Sequence, residues 1–181
     1  MYPPGHVGLT ALLFAPLACW FRLTGRGQAC AECLCVAVSL SLLPDIDKLL
    51  PGLVHRGVTH TLLFAAVFGL LVPVLALLAN RRLHGLGAEH ALVGYLIGVG
   101  SLVSHLVGDV ITPMGVQALF PALGTVYSLD IVRASSPTAN AVLLLAGGAA
   151  VTLAYAVPAP IPAPDADEQP EGLSAPLWSR R

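Results

Sequence analysis

Five long apolar blocks limit this chain to one class of fold. They run from Val7 to Phe21, Ala29 to Leu43, Thr61 to Ala79, Ala91 to Ile111 and Ala139 to Val157, and only Glu32, His105 and Asp109 place an acidic or basic side chain within them. The apolar residues follow neither the alternation of a half-buried strand nor the period of an amphipathic helix, and blocks approaching ~20 residues read as membrane spans. A bilayer offers no water to backbone N–H and C=O groups, so each span must satisfy them internally, as a helix does. The expected fold is all-α: a polytopic membrane bundle of about five short transmembrane helices over residues 1–157. The first two blocks are short for a span and are expected to tilt, thin the bilayer or sit partly inside the bundle.

Composition agrees and removes other classes. The chain is 56% hydrophobic and 10% charged with a mean hydropathy of +0.79, where soluble domains carry about 25% charged residues. A formal charge of -1 provides no basic field for nucleic acid, so membrane lipids are the expected surroundings. The first block has no Lys or Arg ahead of it and no clean small-residue cleavage site after it, which argues against a signal peptide. Pro16-Leu17-Ala18-Cys19 is a weak lipoprotein-like site, with proline where an aliphatic residue is wanted. Pro73 predicts a kink in the third block, while Gly94 with Gly98, and Gly147 with Gly148, predict close helix contacts. Residues 158–181, PAPIPAPDADEQPEG and beyond, are too Pro-rich and acidic to build a core and are expected to form a disordered tail.

With five spans, one side receives Arg22, Arg26, Arg81, Arg82, Arg180 and Arg181, and the other only Lys48, Arg56 and Arg133. The bias predicts an external N-terminus in the cell (inner) membrane. On this topology His6, Asp45, Asp47, His55, Arg56, His60, His105 and Asp109 all fall at the extracytoplasmic end. His105 and Asp109 are four residues apart on one helix, so their side chains share a face and can grip one ion. An Asp inside an apolar span is expensive and normally marks function or a specific pairing. Of Asp45 and Asp47, alternating on an extended or turn-like segment, only one is expected to face the ion while the other orients a histidine. A site of three or four His/Asp ligands with an open position is what catalytic zinc requires. The preferred ligands are His60, His105, Asp109 and Asp47, then His6. Asp45, His55 and Arg56 remain for catalytic tasks: a further ligand, a proton shuttle, and a guanidinium to hold a phosphate.

Competing readings are specific. His105 with Asp109 can form a metal-free intramembrane pair, and Asp45 with Asp47 can simply cap a loop. Cys30, Cys33 and Cys35, with Cys19 near, look like a metal motif but have no second cluster, and small hydrophobic cysteines explain them. His84 and His90 fall at the other end as interfacial residues. A proton-coupled carrier would place polar residues along a path through the membrane, and a non-enzymatic scaffold would show no turnover.

Gly5-His6, LPDID ending at Asp47, HRGVTHT from His55 to Thr61, and SHLVGDVITPMGV from Ser104 to Val116 resemble the signatures of the YdjM family of membrane-bound metal-dependent hydrolases. Their order and approximate spacing match over roughly the first 130 residues, and Thr61 stands where the family often has Ser. The resemblance implies a membrane metal-dependent hydrolase. More distantly, the order His, Asp, His, then H-x-x-x-D is similar to the zinc ligands of the zinc-dependent phospholipase C and single-strand nuclease group. That similarity implies phosphoester hydrolysis with one or two ions. His60 or His55, His105 and one of Asp45/Asp47 would hold the first, and Asp109 would bridge to a second at His6. The group's N-terminal amine and downstream ligands have no evident counterpart in this sequence.

Overall fold

The computed structural model describes residues 1–80 and 88–158. His84, Arg81, Arg82, Arg180, Arg181 and the acidic tail after Pro158 lie outside the described residues. The elements are α1 (Pro3–Leu23), α2 (Gly27–Leu40), two 3-10 turns (Leu43–Lys48 and Val58–His60), α3 (Leu62–Phe68), α4 (Leu71–Asn80), α5 (Ala88–Val110) and α6 (Pro137–Ala156). Four stretches are long and apolar enough to cross a membrane: Pro3–Leu23, Gly27–Lys48, His90–Val110 and Pro137–Ala156. The shorter apolar stretch Leu62–Leu78 supplies the fifth helical segment.

The third block differs from the single kinked helix expected of it. It divides at Gly69-Leu70, four residues ahead of Pro73, and Pro73 falls in the first turn of α4. A proline ring collides with the carbonyl four residues earlier, so the break occurs where that clash would fall, and the first turn needs no N–H from Pro73. Gly69 in the break meets α5. A Cβ on Gly98 would stand 2.5 Å from the Gly69 carbonyl oxygen, and one on Gly94 would touch Val72 at 3.3 Å. The small-residue pair therefore lets α5 approach both halves of the broken segment.

α1 is the centre of the bundle, packing against α6, α2 and α5. Its contact with α6 is close: a Cβ on Gly8 would lie 2.3 Å from the Leu143 backbone, and one on Gly147 would lie 2.2 Å from the Gly8 carbonyl oxygen. Gly148 faces open space, so of the two adjacent glycines only Gly147 serves the contact. Phe14, Ala18, Phe21, Cys30, Cys33, Leu34, Ala37, Ile97 and Ala154 form the apolar core. Cys30 and Cys33 are buried in it, as small hydrophobic side chains.

Burial is inverted relative to a soluble protein. Leu13, Leu75, Leu96, Leu145 and Leu153 are exposed on the outer faces, whereas His6, Thr10, Ser101, Ser104, His105 and Asp109 are buried. Thr10 and Ser104 share a 2.6 Å hydrogen bond between α1 and α5. α1 and α6 begin, and α2 and α5 end, at one end of the bundle, which collects the His and Asp residues. Replacing Gly147 by Val is expected to lower stability by about 1–3 kcal/mol through overpacking, whereas Gly148→Val is tolerated. Thermal unfolding of the two variants in detergent checks the contrast.

Candidate metal centre

Local backbone decides how the two aspartates divide. After α2 the chain tightens into the 3-10 turn Leu43–Lys48, with Pro44 at its start. Three residues per turn place side chains two apart about 120° from one another around the axis, so Asp45 and Asp47 diverge. This is the turn-like of the two conformations expected for the segment, and it splits the pair. Asp47 turns toward the HRGVTH segment: it accepts from His55 Nδ1 (3.0 Å), Arg56 N (3.1 Å) and Thr59 Oγ1 (2.9 Å) and lies 3.2 Å from His60 Nδ1. Asp45 turns to the opposite edge of His60, with Oδ1 3.6 Å from His60 Nε2 and 3.8 Å from His105 Nε2.

The hydrogen bonds fix which nitrogens keep a lone pair. His105 Nδ1 stands 2.6 Å from the Ser41 carbonyl oxygen, which can only accept, so Nδ1 carries a proton and Nε2 is the bare nitrogen of the neutral ring. Thr59 spends its hydroxyl proton on Asp47, so His60 Nδ1 must donate toward Thr59 Oγ1 and Asp47. Neutral His60 therefore also presents a bare Nε2. These two nitrogens face one another at 3.1 Å. Asp109 Oδ2 lies 3.4 Å from His60 Nε2 and 3.5 Å from His105 Nε2, buried and without a hydrogen-bond donor among the described residues.

Lone pairs so placed in a buried site are costly unless a cation or a proton lies among them. Two ligands about 2.0–2.1 Å from a tetrahedral zinc stand roughly 3.3 Å apart, close to the separations here. His60, His105 and Asp109 thus match the donor set and pairwise spacing of a hard or borderline divalent cation, and Asp45 lies 3.6 and 3.8 Å from the two imidazole nitrogens. A proton on His60 is the competing occupant. Burial works against the imidazolium, but the facing Asp109 and Asp45 carboxylates outweigh it and raise the His60 pKa above the ordinary 6.5.

The other oxygen of Asp109 is already engaged. Oδ1 accepts from Arg56 Nη2 at 2.6 Å and from the Met1 amine, with His6 Nε2 at 3.4 Å. Burial lowers the pKa of this amine against the pull of Asp109. His6 Nε2 donates to the Met1 carbonyl at 3.1 Å, and the His6 ring stacks on His105 with centroids 3.7 Å apart. The His6 ring therefore braces that of His105. Arg56 and the Met1 nitrogen thus already occupy Oδ1, the Asp109 oxygen nearest His6 Nε2.

Arg56 is buried at a left-handed φ of 62°. Its side chain also donates to Thr112 Oγ1 (2.9 Å) and to the Gly115 carbonyl (3.1 Å). Gly115, at φ 60°, allows that turn, since a Cβ would stand 2.4 Å from the Tyr127 carbonyl oxygen. His55, a third exposed, meets the cluster through Asp47 and packs edge-on to His60 with centroids 5.3 Å apart. His90 lies at the start of α5, at the other end of that helix from His105.

Thr59, Thr112 and the Ser41 carbonyl escaped the sequence reading. The first two lie inside the motifs VTH and DVITP but carry no metal signal, and a backbone carbonyl carries none at all. Among the described residues, the His/Asp groups able to hold an ion are His6–His105–Asp109, Asp45–His60–His105 and Asp47–His55–His60, none with cysteine.

A helical bundle with four span-length apolar stretches and a buried His/Asp cluster at one end defines the class: a membrane protein with a candidate metal centre. The model of the YdjM inner membrane protein family matches residues 1–162, and the chain belongs to that family. No curated protein and no solved structure matches it. Replacing Arg56 by Ala strips Asp109 of its guanidinium in a buried site and is expected to cost about 3–5 kcal/mol, with Arg56→Lys recovering part of it. Chemical or thermal unfolding of the detergent-solubilised variants measures both.

Proposed function

We propose that the chain is a multi-pass membrane hydrolase that holds one divalent cation, best matched by zinc, and cleaves a phosphoester of a lipid or membrane-proximal substrate. The observation that carries this reading is the donorless Asp109 Oδ2, facing two bare imidazole nitrogens 3.1 Å apart. His60, His105, Asp109 and Asp45 would hold the ion. When bound, such an ion acidifies water and polarises the phosphoryl group beside it.

The rest of the cluster serves those four. Asp47 fixes the His60 tautomer and ties it to His55, so it orients where the sequence reading preferred it as a ligand. The Ser41 carbonyl does the same for His105. Arg56 holds Asp109 in place and balances its charge. His55, partly exposed and hydrogen-bonded to Asp47, is placed to pass protons between the cluster and water. Carrier chemistry would need polar groups along a path, yet the titratable cluster lies at one end, with apolar core beneath it.

The loop arginines favour the extracytoplasmic face for this end. Reactivity of a cysteine introduced at Tyr2 toward an impermeant reagent in intact cells tests that placement; labelling only after lysis contradicts it. Protein purified in detergent is expected to carry close to one equivalent of zinc or a similar ion and to hydrolyse a phosphoester. His105→Ala and Asp45→Ala lose both, while Asp47→Asn keeps the ligands and binds the ion about 10–100-fold more weakly. Elemental analysis of wild type and variants decides; wild-type protein without divalent metal contradicts the proposal.

A further inference from the structure

The guanidinium that the sequence offered for an anion, that of Arg56, is committed to Asp109, Thr112 and Gly115. Another arginine faces open space. A cavity of about 490 Å³ opens beside the cluster, walled by Lys48, His55, Arg56, Thr112, Arg133 and Ser135 among others. Among the described residues, no Asp or Glu lines it. Arg133 is exposed and makes no side-chain hydrogen bond or ion pair among the described residues. Its backbone is nonetheless pinned: the Arg133 carbonyl accepts from Ser136 N at 3.0 Å, and Asn140 Nδ2 donates to the Ala134 carbonyl at 2.9 Å.

A basic cavity without a carboxylate on its wall concentrates anions, and the planar fork of an arginine matches phosphate oxygens two at a time. A second, mainly apolar cavity of about 430 Å³ shares Lys48 with the first and is lined by Leu42, Leu43, Ile46 and Leu49, together with Pro3, Ser39 and Asp45. One lysine thus borders both a basic chamber and an apolar one, the two environments that a phosphate bearing an acyl chain requires.

We infer that the Arg133–Lys48 cavity is the subsite for the phosphate group of the substrate, with Arg133 as its main ligand. The inference deepens the hydrolase reading and rests on it for the role of the bound phosphate as the reacting group. Lys48 stays paired with Asp45 at 2.9 Å, so Arg133 is the residue that can be changed without touching the cluster.

The test titrates full-length protein in detergent with inorganic phosphate and with dihexanoyl phosphatidic acid, comparing wild type, Arg133→Ala and Arg133→Lys, with metal content measured on each sample. Arg133→Ala is expected to weaken binding about tenfold or more, since one charge-assisted hydrogen bond contributes at least that factor. Arg133→Lys falls between, and metal content is unchanged. Tighter binding of the phosphatidic acid supports a lipid headgroup at the subsite, and equal binding supports a free or soluble phosphate there. Wild-type protein that binds neither probe, or Arg133→Ala that binds both as wild type does, overturns the inference. If metal is present while Arg133→Ala binds normally, the subsite falls and the metal reading stands. If Arg133 governs binding in protein without metal, the metal reading falls and the subsite stands.

Discussion

Facing lone pairs in a dry setting organise this molecule. His60 Nε2, His105 Nε2 and Asp109 Oδ2 lie within 3.5 Å of one another, and no hydrogen bond donor serves the carboxylate oxygen. In water such acceptors would be solvated. At the end of an apolar bundle their juxtaposition is costly unless a cation or a proton lies among them, and the surrounding hydrogen bonds hold them in place. Asp47 and Ser41 set the two imidazole tautomers, Arg56 and the Met1 amine occupy the other oxygen of Asp109, and His6 stacks behind His105.

The bundle exists to bring these atoms together from distant parts of the chain. α1 carries His6, the turn after α2 carries the aspartates, the turn before α3 carries His55 through His60, and α5 ends with His105 and Asp109. Close contact between these elements depends on small residues, notably Gly8 against α6, Gly98 against Gly69, and the Thr10–Ser104 hydrogen bond. The helices' exposed leucines meet lipid, so the polar interior has no competing place to be.

Much of this was legible in sequence because membrane folding leaves few options. Apolar block length located the helices, and counting spans put every acidic and histidine candidate at one end. The i, i+4 spacing of His105 and Asp109 gave a shared face. Less legible was whatever depends on local backbone. LPDID read as an extended or turn-like pair, and only the 3-10 turn shows that Asp45 meets the Nε2 edges while Asp47 meets the Nδ1 edges. Arg56 looked like a substrate anchor because charge is visible in sequence, whereas its partners Asp109, Thr112 and Gly115 lie more than fifty residues away. Arg133 registered only as a loop charge, since nothing near it in sequence marks the cavity wall it joins. The break at Gly69 was displaced from Pro73 because proline acts on the carbonyl four residues before it.

X-ray absorption at the zinc edge, on protein purified without added metal, examines the central claim most directly. The account predicts a nitrogen and oxygen shell with the multiple scattering of two imidazoles and no sulfur. A sulfur shell at about 2.3 Å, which would place the ion among the cysteines, or a shell without imidazole, would contradict it.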